Sequence, residues 1–300
     1  MITQIIKIDY TDLHRLSNRM AYFLICVIIS LICVIGFNSS SFAQEKKESD
    51  QQIKGFNFIQ YKDGGAEKWR LNGKSAEVED NNIKIDNISA ISFGEKSALK
   101  LKAREGNFNK GENLVHLKDN VVVTATDGTT LSTDHLDWNT ETKNASTDSP
   151  ISIKKADLKV DGKGAFCNLE EKTAELKEDV NVSIASLSNE DSSAPDVLGL
   201  SEPRTIITCD GPLELNYKKN HAIFHNNVRV EDSRGNILAD RMDVYFSVDT
   251  RRVKCVLARG NVRIINGENI TYSEKAIYLV DQGRVILPNR PRLVIKNNAN

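Results

Sequence analysis

Apolar residues recur at every second position along much of this chain, and an extended strand places residues with that period on one face. In ENLVHLKDNVVVTATDG, residues 112–128, Val115, Leu117, Val121 and Val123 share one parity, while polar side chains dominate the other. Turn-forming Asp-Gly and Asn-Gly pairs separate such runs, and long helical periodicity is missing beyond the N-terminal segment. The sequence therefore predicts an all-β chain whose strands bury one face.

Internal repeats organise these strands. NNVRVEDSRGNILADRMDVYFSVDTRRV, from Asn226, aligns without a gap to GNVRIINGENITYSEKAIYLVDQGRVIL, from Gly260, at an offset of 34 residues. DNVVVTATDGTTLSTDHLDWNTETKN, from Asp119, follows the same plan. Each repeat reads Asn-Val, a short strand, a turn, a small–acidic–basic triplet and another apolar strand, which predicts a series of β-hairpins.

The triplet of the first repeat lies in the best candidate segment for a metal or catalytic site. Residues 134–137 of this segment read Asp-His-Leu-Asp. This group could be a metal site, a catalytic pair or the solvent-facing side of a strand. The second repeat has Arg241 and Asp243 where the first has His135 and Asp137, and an arginine cannot replace a histidine as a metal ligand. We interpret the triplets as a charged, outward strand face, and we expect no metal ion, no cofactor and no catalytic residue.

Other catalytic motifs fail on inspection. The stretch NGKS, residues 72–75, resembles the end of a phosphate-binding loop, but Lys68 stands where the loop requires glycine. No Gly-x-Ser-x-Gly sequence is present. His221 and His225, with Cys255 one repeat later, would need a fourth ligand to bind zinc, and exposed histidines are the better interpretation. The sequence therefore predicts a protein that is not an enzyme.

Basic residues are concentrated at the C-terminal end of a chain that is nearly neutral overall. The sequence has 40 Lys and Arg against 41 Asp and Glu, a balance that argues against nucleic acid as a partner. Residues 251–300 hold ten basic and three acidic residues, a local net charge of +7. This end is either a solvated strand face or a docking surface for an anionic partner.

The N-terminus contains AYFLICVIISLICVIGF, residues 21–37, which carries no charge and follows Lys7, Arg15 and Arg19. Its length is short for a membrane span of about 17–25 residues and long for the apolar core of a signal peptide. The positive flank predicts a cytoplasmic N-terminus. Residues 41–43, Ser-Phe-Ala, have the form of a cleavage site. A membrane anchor and a cleaved signal both remain open, and either one exports the rest of the chain.

The predicted organisation has four parts: residues 1–43 as cytoplasmic tail and anchor or signal, 44–185 as a first β-module, 186–204 as a Ser- and Pro-containing linker, and 205–300 as a second β-module. Cysteine spacing adds no disulfide framework. Free thiols are expected beyond the apolar segment, although one pair could bridge in an oxidising compartment. The three cysteines concerned are Cys167, Cys209 and Cys255.

The residues now in hand resemble a known family. Residues 61–93, 99–153 and 162–184 are similar to LptC, the membrane-anchored periplasmic component of lipopolysaccharide export, and residues 222–246 and 258–287 resemble the OstA-type repeats of LptA, the soluble bridge protein of that pathway. The chain departs from a one-module LptC because a basic second module follows. The positions that match the family pattern are Asp63-Gly64, Trp69, Asn120-Val121, Asp127-Gly128 and Asp134.

The resemblance implies a twisted, open β-jellyroll of OstA/LptC type, preceded by one N-terminal transmembrane helix. Its apolar interior would hold the acyl chains of lipopolysaccharide. The implied location is the inner membrane, single-pass, with most of the chain in the periplasm. The implied partners are lipopolysaccharide, the inner-membrane ABC transporter of the export system, and an LptA-like bridge or outer-membrane acceptor joined by β-strand augmentation. The alternative is an exported structural β-repeat protein that binds proteins only.

Lipid-binding candidates are the residues of inward parity, each of which could equally be ordinary core. They are Leu117, Val121, Val123, Leu136, Trp138, Val228, Val230, Met242, Val244, Phe246, Val262 and Ile264.

We predict that residues 21–37 stay attached to the mature protein, because the apolar run is longer than a typical signal core and the similar LptC proteins are anchored. N-terminal sequencing of the protein from its native membrane checks this. A mature chain that begins at Gln44 would show that the segment is a cleaved signal.

Overall fold

The computed structural model describes residues 6–7, 51–61, 65–93, 98–109, 111–156, 158–185, 204–232, 235–248, 253–279, 282 and 284–295. Within these ranges the chain forms β-strands and no α-helix, which confirms the all-β prediction for the described part. None of the described segments is a helix long and apolar enough to cross a membrane. The predicted membrane segment, residues 21–37, lies outside the described residues.

The strands have the following bounds: β1 Ile6–Lys7, β2 Gln51–Tyr61, β3 Glu67–Glu79, β4 Asn82–Phe93, β5 Ala98–Asn109, β6 Leu114–Ala125, β7 Thr130–Asn139, β8 Asn144–Lys155, β9 Leu158–Asn168, β10 Thr173–Ala185, β11 Arg204–Cys209, β12 Leu213–Asn216, β13 His221–Asp232, β14 Gly235–Phe246, β15 Val253–Asn266, β16 Asn269–Leu279, β17 Arg284–Ile286 and β18 Arg292–Val294.

The chain divides into two compact units. The N-terminal unit contains the described residues of ranges 51–155 and 164–174, and the C-terminal unit contains those of ranges 6–7, 156–163 and 175–295. In the N-terminal unit, β2 to β8 form an antiparallel meander in which each strand pairs with the next. The predicted domain boundaries remain a prediction, because most of the linker lies outside the described residues.

The C-terminal unit is also antiparallel. Strand β10 pairs with β11, and β13 pairs with β11 and β12 on one side and with β14 on the other. The meander then continues through β15 and β16 to β17 and β18. The short strand β1 pairs with β17.

Several hairpin turns are stabilised by the same side-chain interaction of an asparagine. The Oδ1 atom of Asn139 accepts hydrogen bonds from the backbone N–H groups of Glu141 (3.0 Å) and Thr142 (2.8 Å). Similar turns begin at Asn109, Asn168 and Asn216. Such a side chain replaces a backbone acceptor and starts the turn. Four residues later the chain takes a positive φ of 50–57°, at Asn113, Lys143, Lys172 and Asn220.

The Asn-Val sequence that opens each repeat is a β-bulge. Asp119 and Asn120, in the middle of β6, have φ values of 59° and 54°, and the pairing with β7 shifts by one residue there. The equivalent pairs Asn226-Asn227 and Gly260-Asn261 also have positive φ, and the register shifts at both. Asn, Asp and Gly tolerate this left-handed conformation best. Each bulge precedes a valine at most 1% exposed: Val121, Val228 and Val262.

The register shifts also change which residues face inward. In β7, Leu131 and Thr133 are buried before the irregularity, and Leu136 and Trp138 are buried after it. The inward parity therefore switches from odd to even positions within one strand. A bulge bends its strand and increases the local twist, so the apolar face can follow a curved sheet.

We predict that Asn120→Val lowers the free energy of unfolding by about 1–2 kcal/mol, because a β-branched residue fits the left-handed conformation poorly. Asn120→Gly should leave stability nearly unchanged. Urea unfolding of the two variants measures the difference. Lys118→Val is the matched control, since Lys118 is an exposed β6 residue without a positive φ. Equal stability of the valine and glycine variants at position 120 would contradict the bulge argument.

Candidate functional site

Ten of the twelve predicted lipid-binding candidates are buried, and Val230 and Ile264 are half-buried. The burial of these ten is consistent with an inward direction, and the role of all twelve in lipid binding stays a prediction. Five of them lie in the N-terminal unit and seven in the C-terminal unit. Most of these positions are already closed to water, which is what an ordinary core also requires.

The interior of the N-terminal unit includes cross-strand apolar pairs between β6 and β7. Leu117 pairs with Leu136, Val115 pairs with Trp138, and all four are at most 6% exposed. The indole N–H of Trp138 is buried and finds no hydrogen-bond acceptor among the described residues. A buried donor without a partner costs about 1–3 kcal/mol, so this N–H is a polar group available to an occupant of the interior.

The interior of the C-terminal unit ends in a row of apolar side chains that water still reaches. The four residues of this half-buried row lie at directly paired positions on β11, β13, β14 and β15. Val230 lies two positions beyond the fully buried Val228, and Ile264 lies two positions beyond the fully buried Val262. The row consists of Ile207, Val230, Ile237 and Ile264.

Outside this interior, the interpretation of the triplet face as solvent-exposed is wrong at Asp243, which is only 1% exposed. Arg241 covers it by donating two hydrogen bonds, from Nη2 to Oδ1 (2.8 Å) and from Nε to Oδ2 (3.0 Å). Nε2 of His221 lies 3.2 Å from Oδ1, and the His221 ring stacks on Tyr245 at 4.4 Å. Burial alone would raise the pKa of Asp243, but the hydrogen bonds and charge of Arg241, with Arg259 and His221, lower it.

Arg241 is one member of a basic row on four neighbouring strands. His225 pairs with Arg241, Arg241 with Arg259, and Arg259 with Lys275. Like charges that face each other across strands are destabilising, and Asp243 offsets part of this repulsion. Arg259 and Lys275 of the predicted basic end, residues 251–300, thus lie in an ordered row with Arg241 and His225.

The equivalent position of the N-terminal unit contains a group that sequence reasoning missed. His116 on β6 pairs directly with Asp137 on β7, and its Nδ1 atom lies 2.5 Å from Oδ1 of Asp137. Nε2 of His135 lies 2.8 Å from the same oxygen. His116 precedes the triplet by almost twenty residues, so only the strand register brings these three side chains together.

The other candidate ligands do not converge. Nε2 of His225 lies 3.2 Å from Oε1 of Glu214, whereas His221 contacts Asp243. Cys167, Cys209 and Cys255 are free thiols, as expected. Burial raises the pKa of Cys167 to about 12, so this thiol is a poor nucleophile at neutral pH.

Comparisons with known proteins point to one family. A profile of the family described as "Lipopolysaccharide-assembly, LptC-related" matches residues 23–185. Among solved structures, the chain is similar to "LptH, the LptA homologous periplasmic component of the conserved lipopolysaccharide transport device from Pseudomonas aeruginosa", with 12% sequence identity and a TM-score of 0.18, over 66% of this chain and 95% of that chain. The comparison with curated proteins finds no match.

We predict that Asp243→Asn destabilises the C-terminal unit by about 1.5–3 kcal/mol at neutral pH, the range for hydrogen bonds to charged groups. Because the folded-state pKa of Asp243 lies below the ordinary value of 3.8, its contribution is complete above that value. The contribution is lost as the pH falls through the lowered pKa, so wild type and variant should converge in acid.

Thermal unfolding of both proteins across an acid pH series measures this convergence. Asp240→Asn is the matched control, because it removes the same charge from an exposed neighbour. A difference between wild type and Asp243→Asn that is independent of pH, or no larger than that of the control, would contradict the assignment.

Proposed function

The chain belongs to the lipopolysaccharide-assembly, LptC-related family, and we propose that it binds lipopolysaccharide in its apolar interior and passes it from the inner membrane toward the outer membrane. Family membership makes the protein a component of lipopolysaccharide transport. The binding site, the direction of transfer and the absence of enzymatic activity are parts of the proposal.

The half-buried row of Ile207, Val230, Ile237 and Ile264 is the observation that carries this proposal. It is an apolar surface that water reaches and that continues directly into a closed apolar interior. An acyl chain laid along it would remove apolar surface from water, at about 25 cal/mol per Å². The row therefore supports entry of acyl chains at this end of the C-terminal interior.

The indole N–H of Trp138 supports the same function in the N-terminal unit. A hydrocarbon chain alone could not satisfy this donor, whereas the carbonyl of an acyl ester or amide could accept its hydrogen bond. Because Leu117, Val121 and Val123 are at most 3% exposed, lipid must displace packed side chains to enter. Entry of lipid into this interior is thus expected to require partial separation of the strands.

The sheet edge of the N-terminal unit supports the binding of partner proteins. Among the described residues, β2 pairs with β3 only, so its other edge is open to a further strand. Ile53, Phe58 and Tyr61 are exposed along β2. An open edge with apolar side chains favours strand addition from an LptA-like bridge or an outer-membrane acceptor. The energy for transfer would come from the inner-membrane ABC transporter.

Anchoring at the membrane by residues 21–37 is also part of the proposal. The structure pairs Ile6 with Val285 and Lys7 with Arg284. An anchored chain with a cytoplasmic N-terminus keeps Ile6 and Lys7 on the opposite side of the bilayer from β17. Pairing and anchoring therefore exclude each other, and a mature chain that begins at Gln44 would have neither.

The alternative function is an exported structural β-protein that binds proteins only. The open edge of β2 supports both functions, because strand addition needs no lipid. Lipid contact in the interior separates the two.

We predict that a photoreactive amino acid crosslinks to lipopolysaccharide from Val230 or Ile264, but not from the adjacent outward residues Arg229 or Arg263. The half-buried positions accept a larger side chain with less disruption than fully buried ones. Immunoblotting of irradiated cells for lipopolysaccharide adducts measures the result. Each outward position is the matched control for its inward neighbour.

Circular dichroism should show an unchanged β-spectrum for all four variants. Equal labelling of inward and outward positions, or labelling of partner proteins alone from the inward ones, would favour the protein-binding alternative.

A further inference from the structure

Three potential metal ligands converge on the outer face of the N-terminal unit. His135 and Asp137 are two residues apart on β7 and therefore share one face, and His116 is the direct cross-strand partner of Asp137 on β6. One ligand atom from each residue lies within 4.8 Å of the other two. Two strands held in register thus bring together two imidazoles and a carboxylate.

The contacts within this trio leave one nitrogen without a proper partner. Nδ1 of His116 and Nε2 of His135 both approach Oδ1 of Asp137, at 2.5 and 2.8 Å. Nε2 of His135 is shielded from solvent and makes no aligned hydrogen bond in spite of this short distance. A zinc ion bound at about 2.0–2.2 Å from each of the three atoms would replace these contacts and move the atoms apart.

We propose that His116, His135 and Asp137 bind a divalent transition-metal ion, with zinc as the best match to two imidazoles and one carboxylate. Zinc takes such ligands at about 2.0–2.2 Å in tetrahedral sites, and a water molecule can complete a three-residue site. The three side chains are 31–35% exposed, and Nε2 of His135, which is shielded from solvent, must become accessible for an ion to bind. His116 also lines a polar cleft of about 490 Å³ that opens beside the trio.

At the equivalent positions of the C-terminal unit, the carboxylate forms an ion pair with an arginine. There Arg241 holds Asp243 through two hydrogen bonds, and Ile223 faces Asp243 in place of a histidine. An arginine fork satisfies both carboxylate oxygens of Asp243 without a metal. In the N-terminal unit, both histidines approach a single oxygen of Asp137 at hydrogen-bond distance, and the proposed ion would replace these contacts. The sequence-based expectation of no metal compared His135 with Arg241 but lacked His116.

The proposed ion would join β6 and β7 close to the bulge at Asp119-Asn120. Since a ligand that binds only the folded state stabilises it, zinc should raise the melting temperature of the N-terminal unit. This readout does not depend on lipid binding, so the metal site and the proposed transport function can fail separately.

The test uses the full chain, purified without a histidine tag, stripped with chelator and titrated with zinc chloride. We expect one zinc ion per chain by elemental analysis and calorimetry, with a rise in melting temperature. His116→Ala and Asp137→Asn should each weaken zinc binding by at least about 100-fold, because even second-shell partners are worth about 10–100-fold. Both variants change partly exposed residues, and circular dichroism verifies that they fold.

His225→Ala is the matched control, because it removes a half-buried strand histidine outside the trio. It should bind zinc like wild type. The proposal is overturned if stripped wild-type protein takes up no stoichiometric zinc, or if folded His116→Ala binds as tightly as the control.

Discussion

The left-handed bulge in the middle of the repeat strands is the constraint on which the rest of this structure depends. At Asp119-Asn120, Asn226-Asn227 and Gly260-Asn261 the chain accepts an unfavourable backbone conformation, and the next residue is a fully buried valine. The extra residue lets long strands bend while their apolar side chains stay inside. Both interiors and both charged outer faces take their positions from the register that these bulges set.

The repeats also show how one scaffold carries different chemistry on its outer face. Asp137 and Asp243 occupy equivalent positions, but the second is held by an arginine fork and the first by two histidines. The interior changes less, since valine follows the bulge in both units. The same strand plan therefore has an arginine–carboxylate pair on the outer face of one unit and a histidine–carboxylate group on that of the other.

The sequence predicted the β-class and the inward parity well, because apolar residues at every second position identify the side chains that share one face of a strand. It failed where the answer depends on neighbouring strands. Asp243 reads as an outward carboxylate until Arg241 and His221 cover it. His116 joins His135 only through the register of β6 with β7. The Asn-Val motif contained the bulge signal, since asparagine tolerates positive φ, but the repeat alone did not reveal the register shift.

The central claim is that acyl chains enter the apolar interior, and quenching of Trp138 fluorescence tests it most directly. The chain has two tryptophans, so Trp69→Phe leaves Trp138 as the only reporter, with its indole inside the N-terminal unit. The account predicts that lipopolysaccharide with brominated acyl chains quenches Trp138 in a saturable manner, whereas unbrominated lipid does not. Bound brominated lipid that leaves the Trp138 emission unchanged would contradict the account.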